Sequence, residues 1–172
     1  DEPLEPTGVF HSGLRFAGSK AMSLGKFYTD EMSIYLFDYP PMTITVNGEP
    51  SDYGQQDKLV SGELTRVSYA EVYGDDSGEV VFDTGRDGEN ILIIGESYDN
   101  AIIKLLAGHF SKTCSIDLRN YEAAFGKKFD FDEYGSYGYD WRKGFEYSNA
   151  NEYVDDIKSV AQYYGYDSDE ID

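Results

Sequence analysis

Asn90–Gly95 (NILIIG), then Glu96-Ser97-Tyr98, then Asp99–Phe110 (DNAIIKLLAGHF) is the stretch that decides the fold. Ile91–Ile94 are consecutive apolar residues, the pattern of a strand buried on both faces, as in a parallel sheet. Over Tyr98–Phe110, Ile102, Ile103, Leu105 and Leu106 then cluster on one helical face, and Gly108 supplies a stop. Thr113–Leu118 alternates Cys114, Ile116 and Leu118 with polar residues and reads as the next strand. A strand, a helix of about twelve residues and a second strand are the minimum for a right-handed parallel crossover. Residues 90–121 therefore predict an α/β domain, with Ser97 at the strand-to-helix turn.

Upstream, the pattern is one of short strands. Ser33–Tyr39 (SIYLFDY) reads as a strand stopped by Pro40 and Pro41. Met42–Val46 alternates Met, Ile and Val against Thr, and Asn47-Gly48 is a hairpin-type turn. Residues 49–63 are polar and contain glycine, as in a long loop. Thr65–Tyr73 alternates again, with Val67, Tyr69 and Tyr73 in step, and Glu79–Phe82 follows the turn at Gly74–Gly78 as another strand. Residues 1–10, with Pro3 and Pro6, read as an extended entry segment, and Lys20–Phe27 as a helix interrupted by Gly25.

Downstream of Tyr134 the composition shifts. Ser148 caps a helix expected over 148–165, in which Tyr153, Val154, Ile157, Val160, Ala161 and Tyr164 form an apolar stripe. The expected organisation is an α/β domain over 1–134 and an acidic, tyrosine-rich helical tail over 135–172.

Hydrophobic residues make up 40% of the 172, enough for a core. Sixteen Tyr and ten Phe stand against one Trp. Tyrosine is a good β-former, and its apolar body and polar tip also suit surfaces that meet carbohydrate or protein. The net charge of −19 repels nucleic acid and anionic lipid, so neither is expected as a partner. The single cysteine, Cys114, excludes an internal disulfide and reads as a core residue. No apolar run is long enough to span a membrane. The chain starts at Asp1 without a signal peptide, which reads as a processed or truncated start; its acidity fits an extracellular or salt-tolerant protein, and an extracellular or cell-surface location is expected.

Chemistry concentrates at Gly95-Glu96-Ser97. Strand ends of open α/β sheets are where ligands bind. A helix start offers free N–H groups and positive potential to a developing oxyanion. Gly95 lets the backbone approach a substrate closely. A serine at this point is placed as a nucleophile if a base reaches it. The alternative is that Ser97 only caps the helix. Metal binding is not expected. Asp130–Gly135 begins like a calcium loop, but position five is Tyr134 and position twelve is Trp141, so the bidentate glutamate is missing. No zinc spacing or phosphate loop is present, and no cofactor is expected.

Glu96-Ser97-Tyr98, His109-Phe110 and Asp117-Leu118-Arg119, in that order behind an apolar strand, resemble the pattern of bacterial SGNH-type hydrolases of the DHHW group, relatives of alginate O-acetylation proteins. That group carries Asp-Ser-Tyr, an apolar helix, His-Phe, then a strand with Asp-x-Arg. Tyr39–Gly48 (YPPMTITVNG) resembles the paired strands ahead of the group's nucleophile, and the likeness covers about residues 28–134. The resemblance implies an SGNH-like sheet in which Ser97 is the nucleophile. Gly95 then lies beside the oxyanion site, and Tyr98 and Asn100 complete the oxyanion and substrate-binding set. Glu96 replaces the usual aspartate, and the Asp-His-His-Trp block that carries acid and base is not visible. The chain is therefore expected to be either a piece of a longer protein or a reduced relative.

His109 follows Ser97 by about 18 Å of helix rise and cannot reach it; it is expected to cover the far end of the helix. His11 is left as the imidazole partner, although it lacks the aspartate and tryptophan neighbours of the group. Two functions result. One is a hydrolase or O-acyltransferase acting on an acylated glycan, in which Ser97 attacks, the 97–98 turn holds the oxyanion and His11 moves the proton. The other is a non-catalytic scaffold for binding or assembly at a bacterial surface, presenting tyrosines and an acidic face to a glycan or protein.

Overall fold

A computed structural model describes residues 3–16, 18, 29–65, 67–130 and 162. The most deeply buried strand of its main sheet is β7, Lys112–Ile116, in which Thr113, Cys114, Ser115 and Ile116 are all buried. On one side β7 pairs in parallel with β6, Asn90–Ile94; on the other it pairs antiparallel with β5, Glu79–Asp83. Beyond β5 comes β3, Thr43–Val46, and then β4, Glu49–Pro50, giving the order β4-β3-β5-β7-β6. The β3–β4 hairpin turns on Asn47 and Gly48, both with positive φ (50° and 84°), as an Asn-Gly turn requires.

The crossover between β6 and β7 is a helix, Asn100–Ala107. Counting helices in chain order, α1 is Gln56–Val60, α2 is Tyr69–Tyr73, α3 is Asn100–Ala107 and α4 is Leu118–Phe125. Ile103 and Ala107 of α3 pack with Val80 and Phe82 of the sheet and with Tyr53, and Ile44, Val46 and Ile93 close in around them. The parallel pair, and the helix between its strands, are thus where the sequence places them.

A second, two-stranded sheet pairs β1, Gly8–Phe16, antiparallel with β2, Asp30–Leu36. Its inner face supplies Met32 and Ile34, which pack with Leu59 of α1 and Val72 of α2, flanked by Phe10, Leu14 and Phe16. Among the described residues no helix is long and apolar enough to cross a membrane.

Several sequence expectations are corrected. Tyr69–Tyr73 is helical rather than extended: Ser68 caps it by accepting from the Glu71 N–H at 3.2 Å, and the four-residue spacing brings the Tyr69 and Tyr73 rings together, 5.1 Å apart and tilted. The strand expected over 113–118 ends at Ile116, because Asp117 accepts from the Arg119 N–H and starts α4. Gly126, left-handed at φ 71°, closes that helix. The loop 49–63 contains β4 and α1, and the entry segment continues into β1. Every residue of β6 is half-buried rather than buried on both faces, because β6 stands at the edge of the five-stranded sheet, beside β7. The Lys20–Phe27 helix, the 135–172 tail, its 148–165 helix (Gln162 apart) and the Asp130–Gly135 loop beyond Asp130 lie outside the described residues.

Candidate functional site

Because β6 and β7 run in parallel, the segments leaving their carboxyl ends emerge side by side, and the ladder continues one step as the Gly95 N–H donates to Ile116 O at 3.1 Å. Glu96-Ser97 leaves one strand and Asp117-Leu118-Arg119 leaves the other. Residues 97–99 form a turn, and Asp99, not Ser97, is the residue at the start of α3. Ser97 is half-buried, and its hydroxyl has no hydrogen-bond partner among the described residues. A capping serine would spend that hydroxyl on a backbone N–H. Here it is left open.

The turn is braced from within. Asp99 Oδ2 accepts from the Glu96 N–H at 3.1 Å, and the Asp99 N–H donates to Glu96 O at 2.9 Å. A Cβ on Gly95 would fall 1.3 Å from that same Asp99 Oδ2. The space where a Gly95 side chain would stand is therefore filled by a carboxylate of the protein.

Asn100 is buried, and both ends of its amide are engaged. Its Oδ1 accepts from the Tyr53 hydroxyl at 2.8 Å, while Nδ2 donates to Gly74 O and Asp76 Oδ1, each at 3.2 Å. The amide ties the turn to the loop before β5 and spends its polar atoms on the protein. Gly74 belongs to this contact: at φ 101°, with the Tyr53 ring 2.2 Å from where its Cβ would stand, only glycine fits. Tyr98 points the other way and is 82% exposed, with Ile102 one turn along at 49%, so the two offer an apolar surface beside Ser97. The Tyr69 hydroxyl reaches the Tyr98 carbonyl at 3.4 Å.

Arg119 completes the site and was not singled out as functional from sequence. Its guanidinium meets Asp117, Glu96 and Asp76 together. Hydrogen bonding to Asp117 first, and then the charges of Asp117, Asp76 and Glu96, raises its pKa further, so it is a permanent cation among carboxylates. The available signal was the Asp-x-Arg spacing at the end of a strand parallel to the one that delivers Ser97.

His11 makes its hydrogen bond elsewhere. It lies on the outer, exposed face of the β1–β2 ribbon, with Nδ1 2.9 Å from Ser33 Oγ across the strand pair. The inner face of that ribbon packs on α1 and α2. His109 donates its backbone N–H to Leu106 O, and it is Arg86 whose side chain reaches the carbonyl of Gly108 at the end of α3. Among the described residues no group of three or more His, Cys, Asp or Glu side chains is placed to hold a metal ion.

No family model matches the chain, and no curated protein does. Solved structures do. PatB1 of Bacillus cereus, in a structure with a sulfonyl adduct, superposes with a TM-score of 0.52 at 20% identity, over 75% of this chain and 42% of that one. A DHHW family protein from Eubacterium siraeum superposes with a TM-score of 0.50 at 16% identity, over 76% of this chain and 44% of that one. The chain spans less than half the length of these structures. At such identities the likeness is one of fold, and the mixed α/β sheet described above is the fold that this chain shares with PatB1 and with the DHHW family protein.

Proposed function

We propose that Ser97 is the nucleophile of an SGNH-like hydrolase or O-acyltransferase that acts on an acylated glycan outside the cell or at its surface. The observation that carries this reading is the open Ser97 hydroxyl, half-buried on a braced turn between a parallel strand and the helix after it. In this reading Ser97 Oγ attacks the acyl carbonyl, and the N–H groups of the 97–98 turn take the oxyanion. Tyr98 and Ile102 offer the adjoining surface to the sugar, and Asn100 serves by fixing the turn. The sulfonyl adduct named for PatB1 supports the choice of a sulfonyl reagent as probe.

The proton needs an acceptor, and His11 is the imidazole proposed from sequence. With Nδ1 at Ser33, Nε2 is the atom that would take the proton. The outward position of His11 favours the second reading, a scaffold that binds an acylated glycan without turning it over.

The test is reaction with phenylmethanesulfonyl fluoride followed by peptide mass spectrometry, alongside acetate release from an acetylated oligosaccharide. The expected result is an adduct on Ser97, with both adduct and acetate release lost in Ser97→Ala. Acetate release that persists in Ser97→Ala would overturn the nucleophile. Glycan binding without adduct or turnover would establish the scaffold reading. Labelling that survives His11→Ala would remove His11 from the mechanism.

A further inference from the structure

All three guanidinium nitrogens of Arg119 are used, and they join three separate segments. Nε sits 2.9 and 3.1 Å from the two Asp117 carboxylate oxygens, and Nη2 also meets Asp117 Oδ2. Nη1 reaches Glu96 Oε2 at 3.2 Å, and Nη2 reaches Asp76 Oδ2 at 3.2 Å. Asp117 is only 7% exposed and is itself fixed, accepting from the Arg119 N–H and from Asn120 Nδ2. Asp76 is fixed through Asn100. Glu96 is thus the third corner of a clamp whose other two corners are anchored.

An isolated exposed ion pair contributes little, but a planar fork shared among several fixed carboxylates gives geometric control that a single pair lacks. Glu96 is gripped twice, by its side chain at Arg119 and by its N–H at Asp99, and Ser97 is the next residue. Shortening Glu96 to aspartate would withdraw its carboxylate by one methylene and open the 3.2 Å contact.

We propose that Arg119 is a positioning residue for Ser97: through Glu96 it fixes the turn that aims the Ser97 hydroxyl and the neighbouring N–H groups. This rests on the reading of Ser97 as nucleophile. Lysine does not replace arginine here, because one ammonium cannot present a flat fork to three carboxylates.

The experiment compares the intact chain with Arg119→Lys, Arg119→Ala, Glu96→Asp and Asp76→Asn. It follows the rate and the concentration dependence of Ser97 labelling by phenylmethanesulfonyl fluoride, and separately amide hydrogen exchange. Arg119→Lys and Glu96→Asp should slow the maximal labelling rate about 10- to 100-fold, the scale of a small misplacement at a reacting centre, while half-saturation stays within about twofold. Free guanidinium should restore part of the rate in Arg119→Ala. The amides of Glu96–Asp99 should exchange faster, while those of β5 and β7 keep their protection. Asp76→Asn removes one corner only and keeps the comparison usable if an Arg119 variant unfolds. Labelling as fast as wild type in both Arg119→Lys and Glu96→Asp would overturn the proposal. Failure of the wild-type chain to label would overturn the nucleophile reading. In that case unchanged exchange at Glu96–Asp99 would overturn the clamp too, and faster exchange would uphold it.

Discussion

The Tyr53 hydroxyl donates to Asn100 Oδ1 at 2.8 Å, joining residues 47 positions apart in the chain. The Tyr53 ring stands edge-on to Phe82 at 5.6 Å, so one side chain serves both the apolar core and the polar network under the Ser97 turn. Sheet, loop and helix start are registered against each other through it.

Tyr53→Phe keeps the ring packing and strands a buried carbonyl oxygen of Asn100. The expected cost is about 1–3 kcal/mol, read by urea denaturation. A pH dependence accompanies it. Burial first, and then the nearby Asp76 charge, pushes the Tyr53 phenol well above its ordinary 10.0. As pH rises past that value the unfolded chain loses a proton that the folded chain keeps, so unfolding releases a proton and stability falls. Tyr39, Tyr69 and Tyr73 are raised as well, chiefly by burial, so the alkaline decline should become shallower in Tyr53→Phe without vanishing. An alkaline limb of unchanged slope would count against this assignment.

The position of β6 sets a second expectation. Phe82 is fully buried at the centre of the sheet face that meets α3, whereas Ile94 is half-buried on β6. Phe82→Ala should cost about 3–5 kcal/mol through lost burial and a residual cavity, and Ile94→Ala only about 1–2 kcal/mol. Equal losses in the two variants would mean that β6 is as deeply enclosed as β5.

The parallel unit was legible because its signals are local and strong: four consecutive apolar residues, a one-sided helix and an alternating strand. Asn47-Gly48 announced its hairpin for the same reason, since few residue pairs accept two positive φ values. Tyr69–Tyr73 misled because an alternating reading and a four-residue aromatic spacing overlap in so short a segment, and the Ser68 cap decides between them. α4 was missed although Asp117 and Gly126 bracket it, because Leu118 also completes an alternation with Cys114 and Ile116. In the site, Ser97 was legible from its place between strand and helix. The Asp117-Leu118-Arg119 spacing was visible, but the reach of Arg119 to Asp76 and of Tyr53 to Asn100 was not, since those partners lie 43 and 47 residues away and no local pattern encodes such pairings.

Gly95 and Asp99 give the last prediction. No positive φ is found at Gly95, so alanine there meets no left-handed strain. The obstacle is the Asp99 carboxylate, 1.3 Å from where the Cβ would stand. Gly95→Ala must therefore swing that carboxylate away and break its 3.1 Å bond with the Glu96 N–H, at an expected cost of about 1–3 kcal/mol. Asp99→Ala alone loses only the bond, about 1 kcal/mol. In the double variant the clash has no second party, so its cost should fall short of the sum by about 0.5–3 kcal/mol. Strict additivity would show that the two residues do not share this space, and that Gly95 answers instead to something approaching from outside the chain. Sulfonyl labelling of the same three variants then separates the two roles. A glycine kept for Asp99 predicts that the slow labelling of Gly95→Ala is not repaired by removing Asp99, since the Glu96 N–H remains unbraced in both.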